Sequence, residues 1–497
     1  MAALAAGLVI GFALYPSFPT FDSVYSLVWG REIAHLHAPS LHAYRAPTEH
    51  PLGILAGALL SPLGDGAGRA FEFLVFASFA ALVAGAYRLG RQAFTPLVGL
   101  AAALILLSRF DFANFAVRGY IDIPYVACLV WAVSLEIEEP RRGGAVWVLL
   151  IAAGLMRPEA WVLAVLYAIW LRATMDPHPS TPGSRPGLPL PLDEDEGRPW
   201  PSSLVSRILG WGPTAALALG APAIWLGLDL LFTGDPLFSF HATSETVGEL
   251  GRSRSLVDLP GATLSFLGEL LKPPMVAAGV VGLGVSALLF PRRIVGPTVL
   301  LLVGLGMFLA IGGAGLAVID RYVLVPAAAL CVFAGFTLGG FSLLQRGWPK
   351  LAWAAGAAAV ALAVVVFTLG NTLRVTSFRD ELAFRTDVHD SLVDVLRSPA
   401  VREARAKGCV PISTPTHKAI PDVRLALGLP ESAVVSRSDP EHAAEAGRGL
   451  ALYVHGRRAM DLEGFDPATD PLTEVPSPGF ERLAGGKYFT VFARCQG

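Results

Sequence analysis

Long apolar runs, broken by short polar stretches, recur along the first three quarters of the chain. Stretches of spanning length lie near 1–16, 70–88, 92–108, 119–136, 143–156, 159–173, 210–232, 273–290, 294–318, 322–344 and 351–370. A hydrocarbon slab about 30 Å thick needs about 20 such residues per helix. The pattern predicts about eleven transmembrane helices, with 52–63 a shorter helix partly embedded in the first loop. Polarity rises at Asn371. In the remainder, "DSLVDVLRSPAVREARAKG" reads as helix, "CVPIST", "ALYVHG" and "KYFTVFARC" read as strands, and "SDPEHAAEAG" reads as a helix between them. The predicted fold class is an α-helical polytopic membrane protein with a small C-terminal α/β domain: residues 1–370 in the membrane domain, 371–497 in the terminal domain.

Composition agrees. Of 497 residues, 53% are hydrophobic and 16% charged, and mean hydropathy is +0.55. Soluble domains carry about 25% charge. A net charge of −2 gives no support for a nucleic-acid partner. Met1 to Tyr15 contain no Lys or Arg, so this run is expected to stay as a first helix rather than act as a signal peptide.

Loop charge predicts orientation. With the N-terminus in the cytoplasm, Arg88, Arg91, Arg141, Arg142, Arg292, Arg293, Arg346 and Lys350 fall on one side, next to helix ends. Segment 174–209, rich in Pro and Gly and with an acidic cluster from Asp193 to Glu196, reads as a flexible cytoplasmic linker. The first external loop is then 17–69, and the terminal domain is extracytoplasmic, on a bacterial plasma membrane. Cys409 and Cys495 sit in or beside predicted strands of that oxidising side. A disulfide suits their placement, though spacing does not settle it. Cys128 and Cys331 lie in apolar runs and read as packing residues.

Candidate chemistry concentrates in the external loops. Asp22 opens a stretch, Phe21 to His35, in which Val24, Leu27 and Val28 share a helical face flanked by Trp29. That describes a helix along the membrane interface with Asp22 either at the mouth of a groove or serving as its N-terminal cap. His35, His37, His42, Glu49 and His50 follow; Glu49 and His50 precede Pro51 and are candidates to bind a divalent ion or orient a phosphate, or else belong to a solvated loop. Arg118 and Asp122 are four apart and could pair on one helical face, with Arg109 and Asp111 nearby. Pro158 is expected to break a helix between Arg157 and Glu159, which either neutralise each other or line a wet pocket. His241 and Glu245 have i,i+4 spacing after Asp235. Arg321, beside Asp320, is a candidate for a lipid phosphate or an interfacial arginine. Phosphate-loop motifs are absent, so an external reaction would draw on an activated substrate.

"PTFDSVYSLVWGREIA", "TEHPLGILAGALLSPLG", "RGYIDIPYVACLVWA", "LMRPEAW", "FTGDPLFS" and "DRYVLVPAAA" together resemble the GT-C class of polytopic glycosyltransferases that use polyprenyl-phosphate-linked sugars. The resemblance spans about the first 345 residues. It implies Asp22 as the carboxylate that deprotonates the acceptor hydroxyl and basic residues (Arg118, Arg157, Arg321) holding the donor phosphate. Glu49, His50, Asp122, Glu159 and His241 would shape the substrate pocket. Glu49, His50 and Asp122 are the candidate ligands of a divalent cation, the one cofactor left open, since the first loop lacks an obvious pair of adjacent acids. The partners implied are a polyprenyl-phosphate sugar, a glycan, lipid or protein acceptor, and membrane lipid. The competing reading is a transporter or flippase for a lipid-linked or anionic substrate, which would show broken helices repeated in two halves.

Overall fold

The computed structural model describes residues 2–14, 17–141, 143–175, 202–249, 256–369, 373–464 and 476–495. In chain order the helices are α1 (Ala2–Leu14), α2 (Phe21–Ala34), α3 (Pro51–Leu60), α4 (Ala67–Ala93), α5 (Pro96–Leu107), α6 (Phe110–Val117), α7 (Asp122–Glu138), α8 (Gly144–Gly154) and α9 (Ala160–Met175). They continue as α10 (Ser202–Thr233), α11 (Phe238–Glu249), α12 (Leu259–Leu271), α13 (Pro273–Leu289), α14 (Val295–Gly313), α15 (Leu324–Gly339) and α16 (Trp348–Leu369). The terminal domain holds α17 (Leu373–Leu396), α18 (Pro399–Ala406), α19 (Ile420–Leu427) and α20 (Arg457–Leu462). Each of the eleven predicted apolar stretches coincides with a helix.

Among the described residues four helices are long and apolar enough to cross a membrane, or six if each of two bent pairs is one crossing. The chain is a multi-pass membrane protein. The bends fall where proline or a polar break interrupts the run: α5 and α6 meet at 63°, and α12 and α13 meet at 107° around Lys272, just before Pro273 and Pro274. Helix α15 is the hub, packed against α5, α13 and α14, with every residue from Leu324 to Phe336 buried. Its neighbours approach closely through glycine. A Cβ on Gly282 would lie 2.0 Å from the Phe333 carbonyl oxygen, so α13 and α15 touch backbone to backbone. The linker is shorter than 174–209, because α9 runs to Met175 and α10 starts at Ser202. The rest of it, with Asp193 to Glu196, lies outside the described residues, as does Arg142.

The terminal domain is a five-stranded sheet in the order β2-β1-β3-β5-β4, formed by β1 (Ile412–Thr414), β2 (Val434–Ser436), β3 (Gly449–Val454), β4 (Glu481–Gly485) and β5 (Phe489–Arg494). β1 pairs in parallel with β2 and β3, and β5 pairs antiparallel with β3 and β4. α19 is the crossover between β1 and β2. β3, buried at all six positions, is the middle of the sheet, which is why "ALYV" reads as a continuous apolar run. Val388, Leu392 and Val395 of α17 join Ile412, Leu450, Leu452 and Phe489 in one core. Cys409 and Cys495 form a disulfide. The helix expected over "SDPEHAAEAG" is absent: turns lead to a single 3-10 turn at Glu445–Gly447. Asp439 instead accepts from the Glu441 amide and contacts His442, turning the chain locally.

α2 joins the two halves. It is not a half-exposed interfacial helix, since every residue from Ser23 to Gly30 is buried. α3 covers one side and α19 another. A Cβ on Gly30 would sit 2.3 Å from the Ala58 nitrogen, and one on Gly57 would sit 2.3 Å from the Ser26 oxygen, so α2 and α3 cross at backbone contact. On the other side, buried Arg424 of α19 reaches Glu32 at 2.5 Å, and Arg31 donates to the carbonyls of Arg424 and Leu425 at 2.8 and 3.0 Å.

Candidate active site

Asp22 is placed by the segment in front of its helix. Ser17 Oγ donates to the Val117 carbonyl at 2.7 Å, the Thr20 amide to the Arg118 carbonyl at 3.0 Å, and Ser23 Oγ to the Gly119 carbonyl at 2.7 Å. These bonds lay residues 17–23 along the turn between α6 and α7. The helix begins at Phe21 with Thr20 as its cap residue, so Asp22 is not the cap. Its carboxylate lies in the first turn, where the helix dipole favours negative charge, and extends to Arg321, whose Nη1 donates to Oδ2 at 2.7 Å.

From Arg321 an alternating chain of charge runs inward. Arg321 Nη1 is 3.5 Å from Asp122 Oδ2, and Asp122 is 1% exposed. Asp122 Oδ1 pairs with Arg157 Nη1. Arg157 Nη2 donates to Glu159 at 2.9 Å, and its guanidinium stacks over Tyr322, 4.5 Å from the ring centre. Pro158 breaks the apolar run as predicted: α8 ends at Gly154 and α9 starts at Ala160, leaving Arg157 and Glu159 in the break. The order is therefore Glu159, Arg157, Asp122, Arg321, Asp22, three carboxylates against two guanidiniums. Such buried charges persist because each is paired.

Arg118 does not pair with Asp122. It ends α6, Gly119 takes φ +75°, and Asp122 begins a new helix, so the two never share a helical face. Among the described residues no carboxylate lies within ion-pair distance of Arg118. Its guanidinium packs on one side of Tyr120, and that of Arg321 packs on the same ring. Asp22, Arg118, Tyr120 and Arg321 line one cavity of about 310 Å³. Its opposite wall comes from the terminal domain: Arg385, His389, Lys418, Asp422 and Glu463.

Electrostatics set the protonation states. Burial works against the Asp22 carboxylate, but the Arg321 charge and hydrogen bond outweigh it and hold its pKa below the ordinary value. Asp22 is therefore an ionised hydrogen-bond acceptor at neutral pH. Burial, helped by the Arg157 charge, pushes the His50 imidazole down to about 4 despite Asp22 and Asp122. The Leu52 amide donates to the Leu155 carbonyl at 3.0 Å, which brings this neutral ring up to the charge chain. Its buried Nδ1 has no hydrogen-bond partner among the described residues.

Glu49 faces elsewhere. Its Oε1 accepts from Ser239 Oγ at 2.6 Å, and the same hydroxyl is 2.8 Å from Asp229 Oδ2. Burial, with the neighbouring Asp229 carboxyl, pushes Glu49 up to about 8, so it holds a proton at neutral pH. The set Glu49, His50 and Asp122 is thus not assembled around one point: Asp122 is held by two arginines and Glu49 by Ser239. Among the described residues no group of three or more His, Cys, Asp or Glu is placed to hold a metal ion. His241 is also outside the chain of charge. It is exposed and sits 2.6 Å from Asp235, not on Glu245. Arg109 donates to the Leu271 carbonyl at 2.7 Å, and Asp111 is 4.0 Å from Lys272; both pin α6 to the α12–α13 bend.

Sequence reasoning passed over Asp229, although a lone acid within an apolar run is itself a signal. It also missed the cavity wall of the terminal domain, whose residues have ordinary polar neighbours in sequence.

No protein-family model matches the chain, and no curated protein matches it. Solved structures do. ArnT from Cupriavidus metallidurans in the apo state aligns with a TM-score of 0.54 at 13% identity, over 99% of this chain and 96% of that one. The same enzyme bound to undecaprenyl phosphate gives 0.51 at 13% identity, over 99% and 97%. The Archaeoglobus fulgidus oligosaccharyltransferase in the apo form gives 0.51 at 11% identity, over 98% of this chain and 74% of that one. At such identities the likeness establishes the fold, and it bears out the GT-C-like fold expected from the sequence.

Proposed function

We propose that this protein is a glycosyltransferase that moves a sugar from a polyprenyl-phosphate donor to a cell-envelope glycan, lipid or protein acceptor. The observation that carries the reading is one cavity holding an ionised carboxylate, Asp22, beside two guanidiniums, Arg321 and Arg118. The capture of undecaprenyl phosphate by ArnT, which has the same fold, supports the donor class. The eleven crossings, with the cavity and terminal domain on the extracytoplasmic side, belong to the same proposal.

An acceptor hydroxyl is a poor nucleophile at neutral pH. Asp22 accepts its proton as the oxygen bonds to the anomeric carbon. The bond from that carbon to the phosphate oxygen breaks, and its electron pair stays on the departing polyprenyl phosphate. Arg118, with no carboxylate of its own, and Arg321 neutralise that charge. A single base suffices for an inverting transfer, since the phosphate leaves without strong acid assistance. Asp122, itself fixed by the Arg157–Glu159 pair, holds Arg321 in place from behind. Transport is the weaker reading, because Glu159, Arg157, Asp122, Arg321 and Asp22 are locked to one another in one chain of pairs.

The purified full chain, given undecaprenyl-phosphate-linked pentoses and hexoses with a cell-envelope extract as acceptor, should release undecaprenyl phosphate. Parallel reactions with a chelator test the cation requirement. Asp22→Asn is expected to lower release by about 10²- to 10⁴-fold; full turnover by that variant would reject the assignment.

A further inference from the structure

The wall of the cavity facing Asp22 is built by the terminal domain, and it carries an imidazole. His389 of α17 lies with Nδ1 3.3 Å from Asp422 Oδ1. That buried oxygen has no hydrogen-bond partner among the described residues, so the imidazole is its charge partner at ion-pair distance. The ring is stacked face to face on Phe18, with centroids 4.7 Å apart and planes 10° from parallel. Phe18 belongs to the same segment that fixes Asp22, four residues before it. The imidazole is thus held at one nitrogen by a carboxylate and at one face by an aromatic ring, while its side chain lines the cavity. With Nδ1–H turned to Asp422, Nε2 is the nitrogen left as an acceptor.

We propose that His389 orients the acceptor, its Nε2 accepting a hydrogen bond from a second hydroxyl while Asp22 deprotonates the first. This rests on the glycosyl-transfer reading and deepens it by naming the acceptor class: a polyhydroxylated group, such as a sugar or polyol. The two contacts come from opposite walls, so an acceptor with a single hydroxyl satisfies only one of them. No bond forms or breaks at His389, and the reacting proton still goes to Asp22.

The role needs the neutral ring, which sets a pH dependence. Burial opposes the charged form of His389, but Asp422 outweighs it, helped by Asp390 and Glu463, and the pKa lies above the ordinary 6.5. Glu72 of α4 also feels the ring, and Arg385 and Lys418 share its cavity wall. Acceptor binding should therefore weaken as pH falls, starting above the range of a free histidine.

The test uses the full chain, an undecaprenyl-phosphate sugar that the wild type turns over, and the cell-envelope extract as acceptor. His389→Gln should raise the acceptor KM about 3- to 10-fold, the loss of one hydrogen bond, with donor KM unmoved, and should erase the acidic limb of acceptor kcat/KM. Asp422→Asn, which keeps the ring but removes its anion, should shift that limb to lower pH. Its effect does not depend on how well the Gln variant folds. Unchanged acceptor KM in the Gln variant, or an acidic limb unmoved by Asp422→Asn, overturns the inference alone. Absence of release by the wild type with every donor removes the transfer reading and this inference together.

Discussion

Arg321 Nη1 donates to Asp22 Oδ2 at 2.7 Å across 299 residues of sequence. One partner opens the first buried helix after α1. The other sits in the 3-10 turn that leads into the central helix α15. The pair joins the start of the membrane domain to its hub, and it sets the charge state of the proposed base.

Arg321→Gln should move the pH profile of turnover. With the guanidinium present, Asp22 stays ionised to below the ordinary carboxylate range. Without it, burial is the stronger influence and raises the pKa, so the base is protonated at higher pH. The acidic limb of kcat is expected to shift upward relative to wild type. A limb that stays in place would mean that Arg321 does not govern Asp22.

Arg118→Ala separates binding from folding. Among the described residues no carboxylate pairs with this guanidinium, so its removal breaks no ion pair there. The expected result is a donor KM raised about 10- to 100-fold, in line with about 1.5–3 kcal/mol for a charge-assisted hydrogen bond, and an unchanged melting temperature. Donor titrations and thermal unfolding in detergent read the two quantities.

Arg157→Ala should do the opposite. Arg157 neutralises both Asp122 and Glu159, which are buried. Removing it strands Glu159 and leaves Asp122 with Arg321 alone, a loss of about 3–5 kcal/mol, seen as poor yield and a lowered melting temperature. The triple change Arg157→Met, Asp122→Asn, Glu159→Gln removes the charges together and should recover most of that stability while turnover stays impaired.

Cys409→Ser with Cys495→Ser opens a loop closed across 86 residues. Chain entropy puts the loss at about 4.6 kcal/mol for a loop of this length. The terminal domain should melt at lower temperature, and reducing agent should reproduce the effect on the wild type but not on the double variant.

Much of the architecture was readable without coordinates. Runs such as 294–318 and 322–344 are apolar over spanning length, and the alternation around "KYFTVFARC" marks a strand; both signals are local. The break at Pro158 was equally readable, because a proline ring disrupts a helix whatever surrounds it. Asp22, Asp122, Arg157 and Arg321 stood out because charge beside apolar runs is costly. What could not be read was who pairs with whom. Arg118 and Asp122 have helical spacing, yet one positive-φ glycine between them puts them on different elements. Glu49 and His50 are neighbours in sequence, yet one turns to Ser239 and the other to the charge chain. His389 and Asp422 carry no spacing signal, because only the packing of α17 on α19, and of α19 on α2, brings them to the cavity of Asp22. Sequence alone placed the apolar helices, three of the strands and the cost of each charge, since those depend on a residue and its near neighbours. The tertiary structure decided the partners and the cavity, since a guanidinium and a carboxylate 299 residues apart meet only when the helices that carry them dock.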